Sequence, residues 1–123
     1  GQHPTYLYTV PMFHCNGWGH AWTMALMAAK IVLTRTITAE EIFRLIHRHT
    51  VTHFGGAPIV LGMLVNAPDE QRPDLSDRKV RAMTAGAPPP ASILEKLSSM
   101  GFEVMQVYGL TETYGHVTQC VWR

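Results

Sequence analysis

Five short runs rich in β-branched and aromatic residues punctuate the chain: TYLYTV (5–10), KIVLT (30–34), VTHFGG (51–56), VRAMTAG (80–86) and FEVMQVYG (102–109). Between them lie longer segments of helical character, GHAWTMALMAA (19–29), TAEEIFRLIHRHT (38–50), APIVLGMLVNA (57–67) and PASILEKLSSM (90–100). This regular exchange of period 2 for period 3.6 constrains the fold more than any other feature. It predicts an α/β class, with alternating βα units forming a largely parallel sheet, right-handed crossovers and flanking helices.

Local signals sharpen each segment. Thr38 and Glu41 have capping-box spacing, and Ile42, Leu45, Ile46 and His49 fall on one face of the helix they open, with Arg44, His47 and Arg48 outside. Pro58 sits where a helix tolerates proline, in its first turn, and Gly101 stands at a helix stop. The segment 19–29 carries apolar residues all round, as a buried helix would. PDEQRPDLSD (68–77) reads as a polar surface connection.

With 46% hydrophobic residues in 123, the chain can form a core, and a net charge of +1 with 15% charged residues gives no basic footprint for nucleic acid. Cys15 and Cys120 lack CxxC spacing, which argues against a disulfide framework or a zinc site and suits a reducing, cytoplasmic compartment. His14, Cys15 and His20 lack the spacing of a metal cluster. The longest mostly apolar stretch, AWTMALMAAKIVL, is too short and interrupted to span a bilayer, so no integral membrane segment is expected. Sheet-like sequence close to both ends suggests a piece of a longer protein; uncovered strand edges leave a homodimer open.

In a parallel sheet the loops following the strands carry the chemistry. Here they are PMFHCNGW (11–18), GGAP (55–58), TAGAPPP (84–90) and YGLTETYG (108–115), each rich in small residues with a few polar groups. Close-approach walls on one edge describe a pocket.

In combination and order, PMFHCNGW, TAGAPPP and QVYGLTET make the chain resemble the acyl- and aryl-CoA synthetases of the adenylate-forming superfamily, which also contains luciferases and peptide-synthetase adenylation domains. The resemblance covers nearly the whole chain and implies one partial domain, 1–123, central in the large AMP-binding domain. The phosphate loop would lie upstream, the C-terminal domain downstream, and the isolated piece would be inactive. It implies ATP-dependent conversion of a carboxylic acid, fatty or short-chain, to acyl-AMP and pyrophosphate, then to the thioester of coenzyme A; the alternatives are another adenylate-forming branch, luciferase-like or amino-acid-adenylating, and a non-catalytic nucleotide-binding or structural α/β module. ATP/AMP, Mg2+ and coenzyme A are the implied ligands.

The same resemblance assigns residues. Tyr108 would stack on adenine, with Gly86, Ala87 and Pro88 lining the other side of the base and Gly109 in the same nucleotide site. Thr111 would bond the α-phosphate and Glu112 would hold Mg2+, the two forming the catalytic pair. His14 and Trp18 would stand beside the carboxylate and its acyl tunnel, with Gly56 and Ala57 as wall residues. Val107, where relatives often carry glycine, is expected to narrow the base pocket slightly. Trp18 and Trp22, spaced i and i+4, are also expected to be able to pack together.

Overall fold

The computed structural model describes residues 3–120. Its strands are β1 (Thr5–Tyr8), β2 (Lys30–Leu33), β3 (His53–Gly55), β4 (Val80–Ala85), β5 (Phe102–Leu110) and β6 (Gly115–Cys120). The helices are α1 (Cys15–Leu26), α2 (Ala39–His49), α3 (Pro58–Val65) and α4 (Ala91–Ser99), with 3-10 turns at Asp69–Gln71 and Thr111–Thr113. The strands form one sheet in the order β2-β1-β3-β4-β5-β6, parallel except for the β5/β6 pair. The expected α/β architecture is therefore present. The sixth, antiparallel strand was not foreseen, because HVTQC is polar and its residues from His116 onward are exposed at an edge.

Strand order dictates where the helices go. From β1 the chain moves one way to β2, then crosses back over β1 to β3 and continues to β4 and β5. Right-handed crossovers in opposite directions deliver helices to opposite faces. One face thus packs α2, α3 and α4 in a core containing Leu7, Phe43, Ile46, Phe54, Leu61, Leu64 and Phe102. The other face receives α1 alone, through a small cluster of Tyr6, Tyr8 and Met24.

Helix α2 follows its signals closely. The Thr38 hydroxyl accepts from the Glu41 amide at 3.2 Å, whereas the Glu41 carboxylate turns forward to Arg44 at 2.7 and 2.8 Å. That pairing, chiefly the Arg44 hydrogen bond, lowers the Glu41 pKa. The buried stripe is Ile42, Phe43, Leu45 and Ile46, so Phe43 replaces His49 on the expected face.

Helix α1 departs more from expectation. It begins at Cys15 rather than Gly19, and it is not buried all round: Trp22 is 73% exposed and Leu26 89%. The early start places Gly17 in the first turn, where a Cβ would lie 2.3 Å from the Pro11 carbonyl oxygen. Glycine here answers close approach of the preceding loop, not a break in the helix. Among the described residues no helix is long and apolar enough to cross a membrane.

Candidate active site

The order β2-β1-β3-β4-β5 has its switch point between β1 and β3, and an open α/β sheet forms its ligand crevice at the carboxyl ends of strands flanking such a point. A cleft of about 380 Å3 lies there. The β1 loop contributes Thr9, Pro11 and His14, the β3 loop Gly56 and Ala57, and the end of β4 Met83 and Gly86. Four expected site residues, His14, Gly56, Ala57 and Gly86, are therefore brought together in one wall.

Local chemistry explains the shape. The Thr9 hydroxyl donates to the Gly55 carbonyl, tying the β1 loop to β3. The Gly56 amide donates to the Met83 carbonyl at 2.9 Å, tying that loop to β4. A Cβ on Gly56 would touch Val60 at 3.4 Å, so the backbone hugs α3. His14 is the N-cap of α1, but only its carbonyl serves the helix, accepting from Gly17 and Trp18 at 2.8 and 3.1 Å. Its imidazole is exposed beside the cleft, packed on Phe13. Ala57 is likewise the N-cap of α3. Two helix amino ends opening on one cleft favour an anion there.

Tyr108 and Gly109 lie near the end of β5, and Thr111 and Glu112 in the 3-10 turn that follows it. Strand register sets Ala85 opposite Val107, so Gly86, just past the end of β4, stands level with Tyr108, which stays in the sheet opposite Thr118 of β6. The Tyr108 ring is 62% exposed, and Gly86, with φ +95°, has open space where a side chain would stand. The two thus flank room for a flat ring. Ala87 and Pro88 are exposed just beyond. Alternation sends Val107 to the opposite face from Tyr108, where it is buried, so it does not narrow that room.

Gly109 has a packing reason as well. A Cβ there would meet the Gly115 oxygen at 2.0 Å and the His116 Cα at 2.4 Å, because β6 crosses it at a register shift. The turn bearing Thr111 and Glu112 is then held by Thr113. Its hydroxyl accepts from the Leu110 amide at 3.0 Å and lies 2.9 and 2.8 Å from the Leu110 and Gly115 carbonyls. Thr111 and Glu112 themselves are exposed.

Sequence reading overlooked Thr113 and Tyr114. Tyr114 adopts φ +61°, and Trp18 meets its ring edge-on at 4.7 Å. Trp18 therefore finds a ring partner at the end of the Thr111–Thr113 turn rather than in Trp22, and neither Trp18 nor the Tyr108–Glu112 segment is a wall of the 380 Å3 cleft. A threonine two residues after another threonine in a turn was the available signal for Thr113.

The donor set can be tested for the implied Mg2+. Among the described residues no three His, Cys, Asp or Glu side chains gather as a cage. Glu112 is one exposed carboxylate beside the Thr111 hydroxyl. Mg2+ is commonly held by one or two carboxylates together with substrate phosphates, so the set fits a cation arriving on a nucleotide.

An open, doubly wound α/β sheet with an anion-favouring cleft at its switch point defines the class. The sequence model of AMP-binding enzymes matches residues 1–123, and the chain belongs to that family. It is 46% identical over 118 residues to an acetate/butyrate-CoA ligase of Arabidopsis thaliana, described as peroxisomal, covering 96% of this chain and 21% of the relative. It is 47% identical over 122 residues to a 2-methylpropanoate-CoA ligase of Humulus lupulus, covering 99% and 21%. Among solved structures, o-succinylbenzoate coenzyme A synthetase from Bacillus subtilis, in complex with ATP and magnesium ion, superposes with a TM-score of 0.85 at 26% identity. That match covers 98% of this chain and 25% of the other. The chain thus spans about a fifth of the length of the curated relatives it matches.

Proposed function

We propose that the parent protein is an AMP-forming ligase that activates a short aliphatic carboxylic acid with ATP and transfers it to coenzyme A. The observation that carries this reading is the gathering of the strand-end loops, with two helix amino ends, at the switch point of the sheet in a chain of the AMP-binding family. Acetate/butyrate and 2-methylpropanoate in the names of relatives near 46% identity support a short acid. Residues 1–123 would be the central part of a larger AMP-binding domain, with the phosphate loop and the C-terminal domain on other segments. A cytoplasmic or peroxisomal matrix setting suits two unpaired cysteines.

The residues act by holding and orienting. His14 donates a hydrogen bond to the acid, and the amino ends of α1 and α3 favour its negative charge. One carboxylate oxygen attacks the α-phosphorus of ATP; the new C–O–P linkage forms as the α-to-β bridging P–O bond breaks, and pyrophosphate leaves. Tyr108 stacks on the adenine against Gly86, Ala87 and Pro88, with Gly109 keeping that strand end in place. The Thr111 hydroxyl donates to an α-phosphate oxygen, which stabilises the charge that builds there. Glu112 would hold Mg2+, which supplies charge neutralisation at the phosphates. In the second half the coenzyme A thiolate attacks the acyl carbon, and AMP departs with the bonding pair. Gly56 and Ala57 bound the acyl group without side chains that would block it.

The test incubates the intact parent protein with ATP, coenzyme A and a panel of acetate, butyrate, 2-methylpropanoate, octanoate and free amino acids. AMP and a short acyl-CoA in equal amounts are expected. ADP in place of AMP, or AMP with no thioester, would contradict the reading.

A further inference from the structure

The chain reverses between β5 and β6 through four residues, 111–114, since Leu110 pairs with Gly115. A hairpin loop built this way makes a right-handed turn and then one left-handed step that brings the second strand back. Glycine or asparagine is the ordinary occupant of such a step, because a larger side chain crowds its Cβ against the following carbonyl. Here the residue is Tyr114, with φ +61° and ψ +34°, followed directly by Gly115 at φ +109°. Nothing within the loop explains the choice. The hydrogen bonds of the turn are made by the Thr113 hydroxyl and by the Tyr114 backbone amide, which donates to the Thr111 carbonyl at 3.1 Å as any residue's would. A bulky residue held in a left-handed conformation points to a role outside the turn that holds it.

The Tyr114 side chain meets a residue far away in sequence. Its ring and that of Trp18 lie 4.7 Å apart with their planes at 73°, an arrangement that aromatic pairs favour. The Trp18 amide donates to the His14 carbonyl at 3.1 Å, so Trp18 stands one helical turn beyond His14 on the same side of α1. One ring contact therefore ties the amino end of α1, which borders the switch-point cleft, to the turn carrying Thr111 and Glu112. The sheet does not supply that tie directly. Strand β1, which leads into α1, is separated from β5 by β3 and β4, three strand spacings or roughly 14 Å.

We propose that Tyr114 is a positioning residue, whose ring contact with Trp18 fixes the Thr111–Glu112 turn relative to the His14 end of α1 so that the acid's carboxylate oxygen meets the α-phosphorus of ATP in line. The proposal rests on the ligase reading above and deepens it. Tyr114 touches neither substrate and acts through Thr111 and Glu112. In-line attack tolerates little error, since a misplacement of about 1 Å can lower the rate about 10²-fold. The left-handed backbone at Tyr114 is then the local strain that accompanies a link between two halves of one site.

The test measures acid-dependent exchange of labelled pyrophosphate into ATP, and the melting temperature, for the intact parent protein as wild type, Tyr114→Asn, Tyr114→Phe, Trp18→Leu and the double variant Tyr114→Asn/Trp18→Leu. Asparagine accepts the left-handed backbone, so Tyr114→Asn should melt at or above the wild-type temperature. Its kcat for exchange should nevertheless fall about 10²-fold, with the KM for ATP nearly unchanged because the base is held elsewhere. Tyr114→Phe keeps the ring and should retain the wild-type rate. The double variant should lose no more than the larger of the two single losses, since both remove one contact. A wild-type kcat in Tyr114→Asn overturns the proposal, and so does a loss equally large in Tyr114→Phe. Losses that multiply in the double variant, or a rate loss matched by a lower melting temperature in Tyr114→Asn, overturn it as well. Should Tyr114→Asn fail to fold by circular dichroism, Tyr114→Gly gives the same readout with the same expectation. A wild type with no acid-dependent exchange overturns the ligase reading itself, and this proposal with it.

Discussion

The two faces of the sheet are built on different principles. One face packs α2, α3 and α4 around fully buried Leu7, Ile42, Leu61, Leu64 and Leu97, so its free energy comes from many apolar contacts. The other face carries one helix, a three-residue cluster and a cavity of about 430 Å3. Arg81, Glu103 and His53 rim that cavity, and the Arg81–Glu103 pair spans 3.6 Å with both side chains substantially exposed. Such a pair contributes little to stability. Stability is thus concentrated on one side, and the room for ligands lies along the other side and the carboxyl edge.

The largest effect should come from deleting the same kind of bulk on each face. Leu64→Ala on the covered face is expected to destabilise by about 2–5 kcal/mol. Met105→Ala on the α1 face should cost below about 1 kcal/mol. Urea unfolding of each variant in the parent protein checks this, and equal losses would break the contrast.

At the edge the contrast reverses, since an exposed residue should matter for binding and not for folding. Tyr108→Ala removes the ring proposed to stack on adenine, a contact expected to be worth about 1–3 kcal/mol. The KM for ATP should rise about 5- to 150-fold with the melting temperature unchanged, measured by calorimetry and steady-state kinetics. A smaller effect tests the covered face again. Thr38→Ala removes the cap of α2, and a loss of about 1 kcal/mol is expected with no change in the KM for either substrate.

The smallest effect is a pH dependence from the cavity rim. Burial first, and Arg81 second, lower the His53 pKa from the ordinary 6.5. The native state then binds fewer protons than the unfolded one, so His53 contributes stability in full above about pH 6.5 that is lost as pH falls through its native pKa. His53→Gln should remove that part of the acid sensitivity, seen as a flatter plot of thermal midpoint against pH.

What was legible in the sequence divides along the same lines. Strands β1 to β5 and helices α2, α3 and α4 follow from apolar periodicity, because their packing partners lie within this chain. Helix α1 was misjudged twice, in its start and in its burial. Gly17 is set by the close Pro11 loop, and Trp22 and Leu26 are exposed rather than buried. Strand β6 was missed because an exposed polar edge strand carries no apolar alternation. The site loops were visible as clusters of glycine, proline and threonine, yet spacing alone could not show that His14 caps a helix or that Tyr114 holds Trp18. Nor could it show that Met83 touches two cavities, since that depends on register across three strands.

The most direct measurement is acid-dependent exchange of labelled pyrophosphate into ATP by the intact parent protein, comparing wild type with Glu112→Gln. Glu112 is exposed, so the fold should be unaffected and the thermal midpoint unchanged. Exchange should fall by about 10²- to 10³-fold, the usual loss when a charge-stabilising group at a reacting phosphate is removed. Exchange that persists at the wild-type rate, or that never depended on the acid, would contradict a ligase site at this edge of the sheet.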